Sequence, residues 1–462
     1  GKSYASCGTR GGSGAGKGGP LGFSCPIAEI DPDKYPHLET PQTKLTGDPK
    51  PPTIKKGIFY GWVIVAVVFL AEFTTAGMGG STIALFFVPM GNDLGWPLTM
   101  MVGAVTAQSI AAMVTAPLVG PLLDKFGARP VMLIGAITGG IGLIAMMGIQ
   151  SIWQFWFLYA FVGALGLNEL GRISGPVVVA KWFIRLRGRA MAIATSGTTV
   201  GSFTMAPIIG ILITAFGWRL SWGILGILMM VTMVPSVYIF MRRQPEDIGL
   251  LPDGDKPSHL GSSSNPTHAY IEPIWTLKEA LKTKTLWILI LSMNLVGFAA
   301  FSLTLLQVPY FVDQGMSNQN AGYIFTLTWV GFTISRFIWG FLLERIPVRL
   351  CLAGAFLARS LGPIILLIVP YPTNIAPFLI FYGIFGGSFA LLQAVAFANY
   401  YGRAFFGSIH GALRPLLAMP SVIGPIILAW TYDTTGNFDL AFVIGGVLGL
   451  IGTVLVIFAT PP

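Results

Sequence analysis

A few charged side chains stand inside otherwise apolar runs: Glu72, Glu169, Arg172, Arg336, Arg359 and Arg414, with His410 one helical turn before Arg414. Arg336 is the plainest case, set in TWVGFTISRFIWGFLLERI (Thr328–Ile346) among Phe, Ile, Trp and Gly. In lipid, a guanidinium at such a place needs a partner, a wet cavity or a task. Its chemistry is recognition, because its rigid planar fork meets a carboxylate in bidentate geometry. Neither Arg336 nor Arg414 has an acid at i±3 or i±4. The neighbours are Phe332, Thr333, Trp339 and Gly340 for the first, and His410, Gly411, Leu417 and Ala418 for the second. Two readings are open for each: the missing anion is a substrate, or an acid from another part of the chain supplies it. Glu169 and Arg172 are i,i+3, so on an α-helix they share a face and can neutralise each other, as a structural pair or as a coupling pair. Glu72 has no local partner and reads either as a proton carrier or as a carboxyl hydrogen-bonded in the packing. Asn294, Gln307 and Tyr310, with Gln108, Gln393, Asn399, Tyr323 and Trp329, are polar or amphipathic groups able to line a cavity or to hold helices together.

Nothing in the chain suggests an enzyme. There are four histidines, no Ser/His/Asp or Cys/His constellation and no metal-ligand spacing. The three cysteines, Cys7, Cys25 and Cys351, are far apart. The run GGSGAGKGG approaches a phosphate-binding loop, but Gly18 follows Lys17 where a hydroxyl residue is needed to hold magnesium, so it reads as a flexible linker. No cofactor is expected, and without a nucleotide motif any transport is driven by a gradient.

These groups must be positioned by membrane helices. Of 462 residues, 53% are hydrophobic and 10% charged, whereas a soluble domain carries about a quarter charged residues. Residues 1–56, rich in Gly, Pro, Ser and Lys, read as a disordered tail without the apolar stretch of a signal peptide. Twelve apolar segments follow, at 58–90, 99–123, 131–149, 152–180, 188–215, 218–241, 285–312, 319–343, 349–369, 375–398, 406–432 and 438–459, a helix needing roughly 20 residues to cross the hydrocarbon. The formal charge of +9 needs no nucleic-acid partner, because basic residues gather in cytoplasmic loops. One alternate set of connections holds Lys125, Arg129, Lys181, Arg185, Arg187, Arg189, Arg242, Arg243, Lys256, Lys278, Lys282, Lys284, Arg345, Arg349 and Arg403, and the other holds only Arg219. That asymmetry places the first set, and both termini, in the cytoplasm. A repeat divides the chain. GPLLDKFGAR (Gly120–Arg129) closes the second segment and GFLLERIPVR (Gly340–Arg349) the eighth, while Gly188 opens the fifth and Gly407 the eleventh. One offset of 219–220 residues relates these landmarks, so the expected architecture is all-α: an N-terminal six-helix half (57–241), a cytoplasmic linker (242–284) and a C-terminal six-helix half (285–460).

On these residues the chain resembles the major facilitator superfamily. GPLLDKFGARP is similar to its signature loop between the second and third spans. KWFIRLRGRAMAIATSGTTVG (Lys181–Gly201), YGWVIVAVVF (Tyr60–Phe69) and RRQPEDIGLLPDG resemble the monocarboxylate porter and oxalate/formate exchanger branch. Asp124, at a helix end, can pair with Lys125 and Arg129 or face the positive N-terminus of a neighbouring helix. The resemblance implies alternating access, with Gly120, Asp124, Lys125, Gly127, Arg129 and the worn copy Gly340, Glu344 and Arg345 bracing one access state, the alternative being a loop that only anchors the topology. It implies that the eighth and eleventh spans line the cavity and that the ninth, with Arg359, packs outside it. Monocarboxylate porters keep an Arg four residues before a Gly in the eighth span, as Arg336 and Gly340 do. They differ in placing an Asp where this chain has Phe332 and a Lys in the first span, where it has none. Arg414 resembles the second cation of the exchangers, which use Lys. The expected function is secondary transport of a small organic anion in a multi-pass plasma (inner) membrane protein, by proton symport or by exchange against a counter-anion. Arg336, Arg414, His410, Asn294, Gln307 and Tyr310 are the expected substrate site, and Glu72 and Glu169 the candidates for proton coupling. An exporter of drugs would carry GPxxG in the fifth span, where this chain reads TMAPIIG, and a porter of neutral solutes would need no cavity arginines.

Overall fold

The computed structural model describes residues 59–254 and 273–462. The stretch read as a tail and the phosphate-loop-like run lie outside them. Every ordered element among the described residues is helical, as lipid demands of a chain whose backbone must satisfy its own hydrogen bonds. Eight helical runs are long and apolar enough to cross a bilayer. One of them, Arg187–Phe240, has 54 residues and breaks at Gly217 (φ 75°, ψ 165°), so it supplies the fifth and sixth crossings. The fourth crossing (152–182), the seventh (Lys284–Asp313) and the eleventh (Phe406–Thr435) complete twelve.

Three crossings are not plain α-helices. The first runs Gly61–Thr75, widens to a π-helix at Ala76–Gly80, tightens through Ser81–Ile83 and resumes as Ala84–Leu94. The fourth contains a π-helix at Val162–Arg172 and the tenth one at Leu379–Phe385. Such insertions free backbone groups and re-aim side chains, and they gather at functional sites.

The two halves repeat in detail. Left-handed glycines end the first and seventh crossings at Gly95 (φ 69°) and Gly315 (φ 89°), and the fifth and eleventh at Gly217 and Gly436 (φ 75° and 73°), a conformation that costs a side-chain-bearing residue but not glycine. The halves meet along two seams, the second crossing against the eleventh and the fifth against the eighth. Glycine lets backbones touch there. A Cβ on Gly120 would overlap the Gly407 carbonyl, and one on Gly188 would overlap the Gly340 carbonyl. Close approach through small residues is the packing that membrane helices use where lipid supplies no hydrophobic drive.

Candidate functional site

The intramembrane charges converge between the halves. The Glu72 side chain lies in a bay of three glycines from the fourth and fifth crossings. A Cβ on Gly171 would stand 3.4 Å from its Cδ, one on Gly175 3.5 Å from its Oε1, and one on Gly197 3.1 Å from its Cβ. Its Oε2 accepts a hydrogen bond from Thr198 Oγ1 at 3.3 Å. The cations acting on it are Arg172, Arg336 and Arg414. Arg336 crosses the seam, and its Nη1 donates to the Thr195 carbonyl at 2.6 Å. Arg172, which ends the π-helix, and Arg414 act on each other as like charges. Counted from the charged ends of their helices at 1.5 Å per residue, these groups lie roughly 9–16 Å into the bundle. Three guanidiniums therefore share one carboxylate among the described side chains, at a depth where each charge needs a reason.

At the end of the bundle that carries the basic connections, the halves are tied. Asp124 faces the first turn of the eleventh crossing. Its Oδ1 accepts the Gly407 N–H at 3.0 Å, and its Oδ2 accepts the Ser408 N–H at 2.6 Å and the Ser408 hydroxyl at 2.7 Å. Lys181 Nζ lies 3.6 Å from Oδ1, both side chains being over 90% buried. A carboxylate at a helix N-terminus meets unpaired N–H groups and the positive end of the dipole. At the equivalent place in the other seam Glu344 pairs with Arg189 at 2.6 Å, and Arg189 stacks on Phe341. Arg187 Nη1 donates to Asn399 Oδ1 at 2.6 Å. Arg403 joins the Lys181 carbonyl and Glu246. These ties between the halves all lie from Arg336 to this end.

Several expected residues are placed differently. Lys125 and Arg129 do not pair with Asp124. Lys125 sits over the Phe126 ring, and Arg129 donates to the Tyr238 carbonyl and stacks on its ring. Arg243 takes the neighbouring role, donating to the Asp124 carbonyl at 2.8 Å. Gly127 turns the chain with φ 80°, and Arg345 is exposed. Gln307 and Tyr310 belong to the packing of the C-terminal half. Gln307 accepts from Thr328 and donates to the Thr304 carbonyl, while the Tyr310 hydroxyl donates to the Leu366 carbonyl. Asn294 donates back to the Ile290 carbonyl of its own helix. His410 is buried against Phe406, its Nδ1 without a described partner. Arg359 neither pairs with an acid nor snorkels. It is buried, donates to the Gly386 carbonyl at 2.7 Å and faces the rings of Phe332, Tyr382 and Phe389. The side chain of Glu169 lies outside the described part of the structure.

Sequence reasoning missed Arg172 as a member of the central cluster, Lys181 and Ser408 as partners of Asp124, and Asp253. The last accepts three backbone N–H groups, from Ile184, Arg185 and Leu186, and so fixes the loop that leads into the fifth crossing.

Comparison with known proteins gives a consistent picture. The family model described as Major Facilitator Superfamily matches residues 68–414. Monocarboxylate transporter 12 of Rattus norvegicus is 24% identical over 420 residues, which cover 87% of this chain and 85% of that one. Monocarboxylate transporter 2 of the same organism is 22% identical over 426 residues, covering 88% and 84%. Among solved structures, the transporter FucP in its outward conformation superposes with a TM-score of 0.67 at 13% identity, covering 87% of this chain and all of that one.

Proposed function

The chain belongs to the Major Facilitator Superfamily and is a multi-pass membrane transporter, and from that premise we propose that it carries small organic anions of the carboxylate class by alternating access. The observation that carries this reading is the central cluster. Among the described side chains, Arg172, Arg336 and Arg414 act on the one carboxylate of Glu72, and the surplus positive charge, otherwise costly at that depth, is balanced when an anion enters. The names of the relatives, monocarboxylate transporters, agree with that charge.

In this reading the basic connections are cytoplasmic, so the tied end faces the cytoplasm and the structure is the outward-facing state. Substrate enters from the opposite end and is held by the arginines. Release to the cytoplasm requires the Asp124 and Glu344 ties to break. Glu72, hydrogen-bonded to Thr198 and acted on by the three arginines, is the group that exchanges a proton or yields its cations to the anion. The test is uptake into proteoliposomes of lactate, pyruvate, formate, oxalate and a neutral sugar, with and without an inward proton gradient. Uptake of carboxylates and not of the sugar is expected. Sugar uptake with no carboxylate uptake overturns the reading.

A further inference from the structure

The central cluster distinguishes its three arginines. All three lie in the field of Glu72, and Arg336 is further engaged by a hydrogen bond to the Thr195 carbonyl. Arg172 and Arg414 are not: among the described side chains, neither makes a hydrogen bond or stands within salt-bridge distance of an acid, and Arg172 is exposed. They come from opposite halves, Arg172 from the end of the π-helix in the fourth crossing and Arg414 from two turns inside the eleventh. The two are like charges within each other's field. Counting the groups described there, three arginines against Glu72 leave two positive charges. A monoanion would neutralise one and leave the other bare at a depth where a lone charge is costly. An anion with two carboxylates gives each guanidinium a bidentate partner and brings the site to neutrality.

We propose that Arg172 and Arg414 form a clamp across the two halves for the two carboxylates of a short dicarboxylate, with Arg172 setting the preference for two acid groups over one. This rests on reading the central cluster as an anion site. The clamp also gives substrate a mechanical role. In the empty site the two cations repel across the cavity, and the dianion bridges them and draws the halves together.

The test uses the full chain, purified and reconstituted, with malonate and succinate as two-acid probes and lactate and propionate as one-acid probes. A charge-assisted contact is worth about tenfold or more in affinity, so the parent protein should bind the dicarboxylates at least about tenfold tighter. Arg172→Gln should erase that preference, weakening the dicarboxylates about tenfold or more beyond whatever it costs the monoacids, and Arg172→Lys should restore part of it. Equal binding of one- and two-acid probes by the parent overturns the clamp and leaves the anion reading standing. A preference that survives in Arg172→Gln assigns it to other residues and also overturns the clamp. If Arg172→Gln fails to fold, the parent's own ratio decides. Failure of every carboxylate to bind the parent overturns the anion reading itself.

Discussion

Arg336 makes its one described hydrogen bond across the seam, to the Thr195 carbonyl, and this sharpens what its removal should do. Arg336→Gln loses that tie and one of the three cations acting on Glu72, but no described carboxylate lies within ion-pair distance of it, so the large penalty of stranding a bonded buried acid does not apply. We expect the variant to insert and melt within a few degrees of the parent, and to lose the thermal shift that carboxylates give. Early melting without substrate would assign Arg336 to structure instead. Arg336→Lys keeps the charge without the fork and should retain weak binding. Arg336 and Arg414 were legible in the sequence because a charge in an apolar run with no local acid announces itself. Arg172 was hidden. Its place beside Glu72 depends on how the fourth crossing packs against the first, through Gly171 and Gly175, which no spacing along the chain states. Gln307 and Tyr310 show the opposite limit. Polarity in an apolar run marks them equally as cavity groups or as packing hydrogen bonds, and spacing alone does not name the partners Thr328, Thr304 and Leu366 that they meet.

At the scale of elements, the twelve crossings were readable from apolar length, and the two halves from glycines and loops at a constant offset. The π-helices were not, since nothing in composition separates Ala76–Gly80 or Leu379–Phe385 from an α-helix rich in glycine and aromatics. The crossing points carry a direct prediction. Gly188 packs so closely on Gly340 that Gly188→Ala must push the fifth and eighth crossings apart at their basic ends. The substitution should raise the labelling of a cysteine placed at Ala192, buried in that seam against Gly340, several-fold and cut transport about tenfold. Unchanged labelling would mean that the seam is looser than described. Asp124→Asn keeps an oxygen for the Gly407 or Ser408 N–H groups but removes the charge that both Lys181 and the helix dipole meet. Turnover should fall about tenfold or more while the affinity for substrate stays within a factor of two or three, because Asp124 is remote from the central arginines. A loss of affinity at normal turnover would place Asp124 in the substrate site. The sequence showed the acid and left open whether its partners were Lys125 and Arg129 or a helix N-terminus. The N-terminus is the one observed, and Lys181, from a different loop, was out of reach of any local rule.

For the whole molecule, the distribution of basic loops predicts that a tag inserted at residue 260 is reached from the cytoplasm. Access from outside would invert the orientation and the direction assigned to the observed state. The two seams descend from one repeat, yet they are fastened by different means. Asp124 is held by two backbone amides, a hydroxyl and a buried lysine. Glu344 holds one arginine whose side chain is 41% exposed, and such a pair contributes about 0–1 kcal/mol and is weakened by salt. In the language of fracture, the closed end has a strong edge and a weak edge, and a crack starts at the weak one. Opening then propagates from the fifth–eighth side toward the second–eleventh side, so the halves peel apart about the Asp124 edge instead of parting evenly. Spin labels across the first edge (Arg185 and Arg345) should show a broadened distance distribution at raised salt, before labels across the second (Lys125 and Phe405) respond. Simultaneous broadening would mean that the edges part together. A carrier that peels has a short-lived state in which one edge is parted and the other still bonded, and its lifetime, set by the strong edge, would govern how often a loaded site fails to discharge.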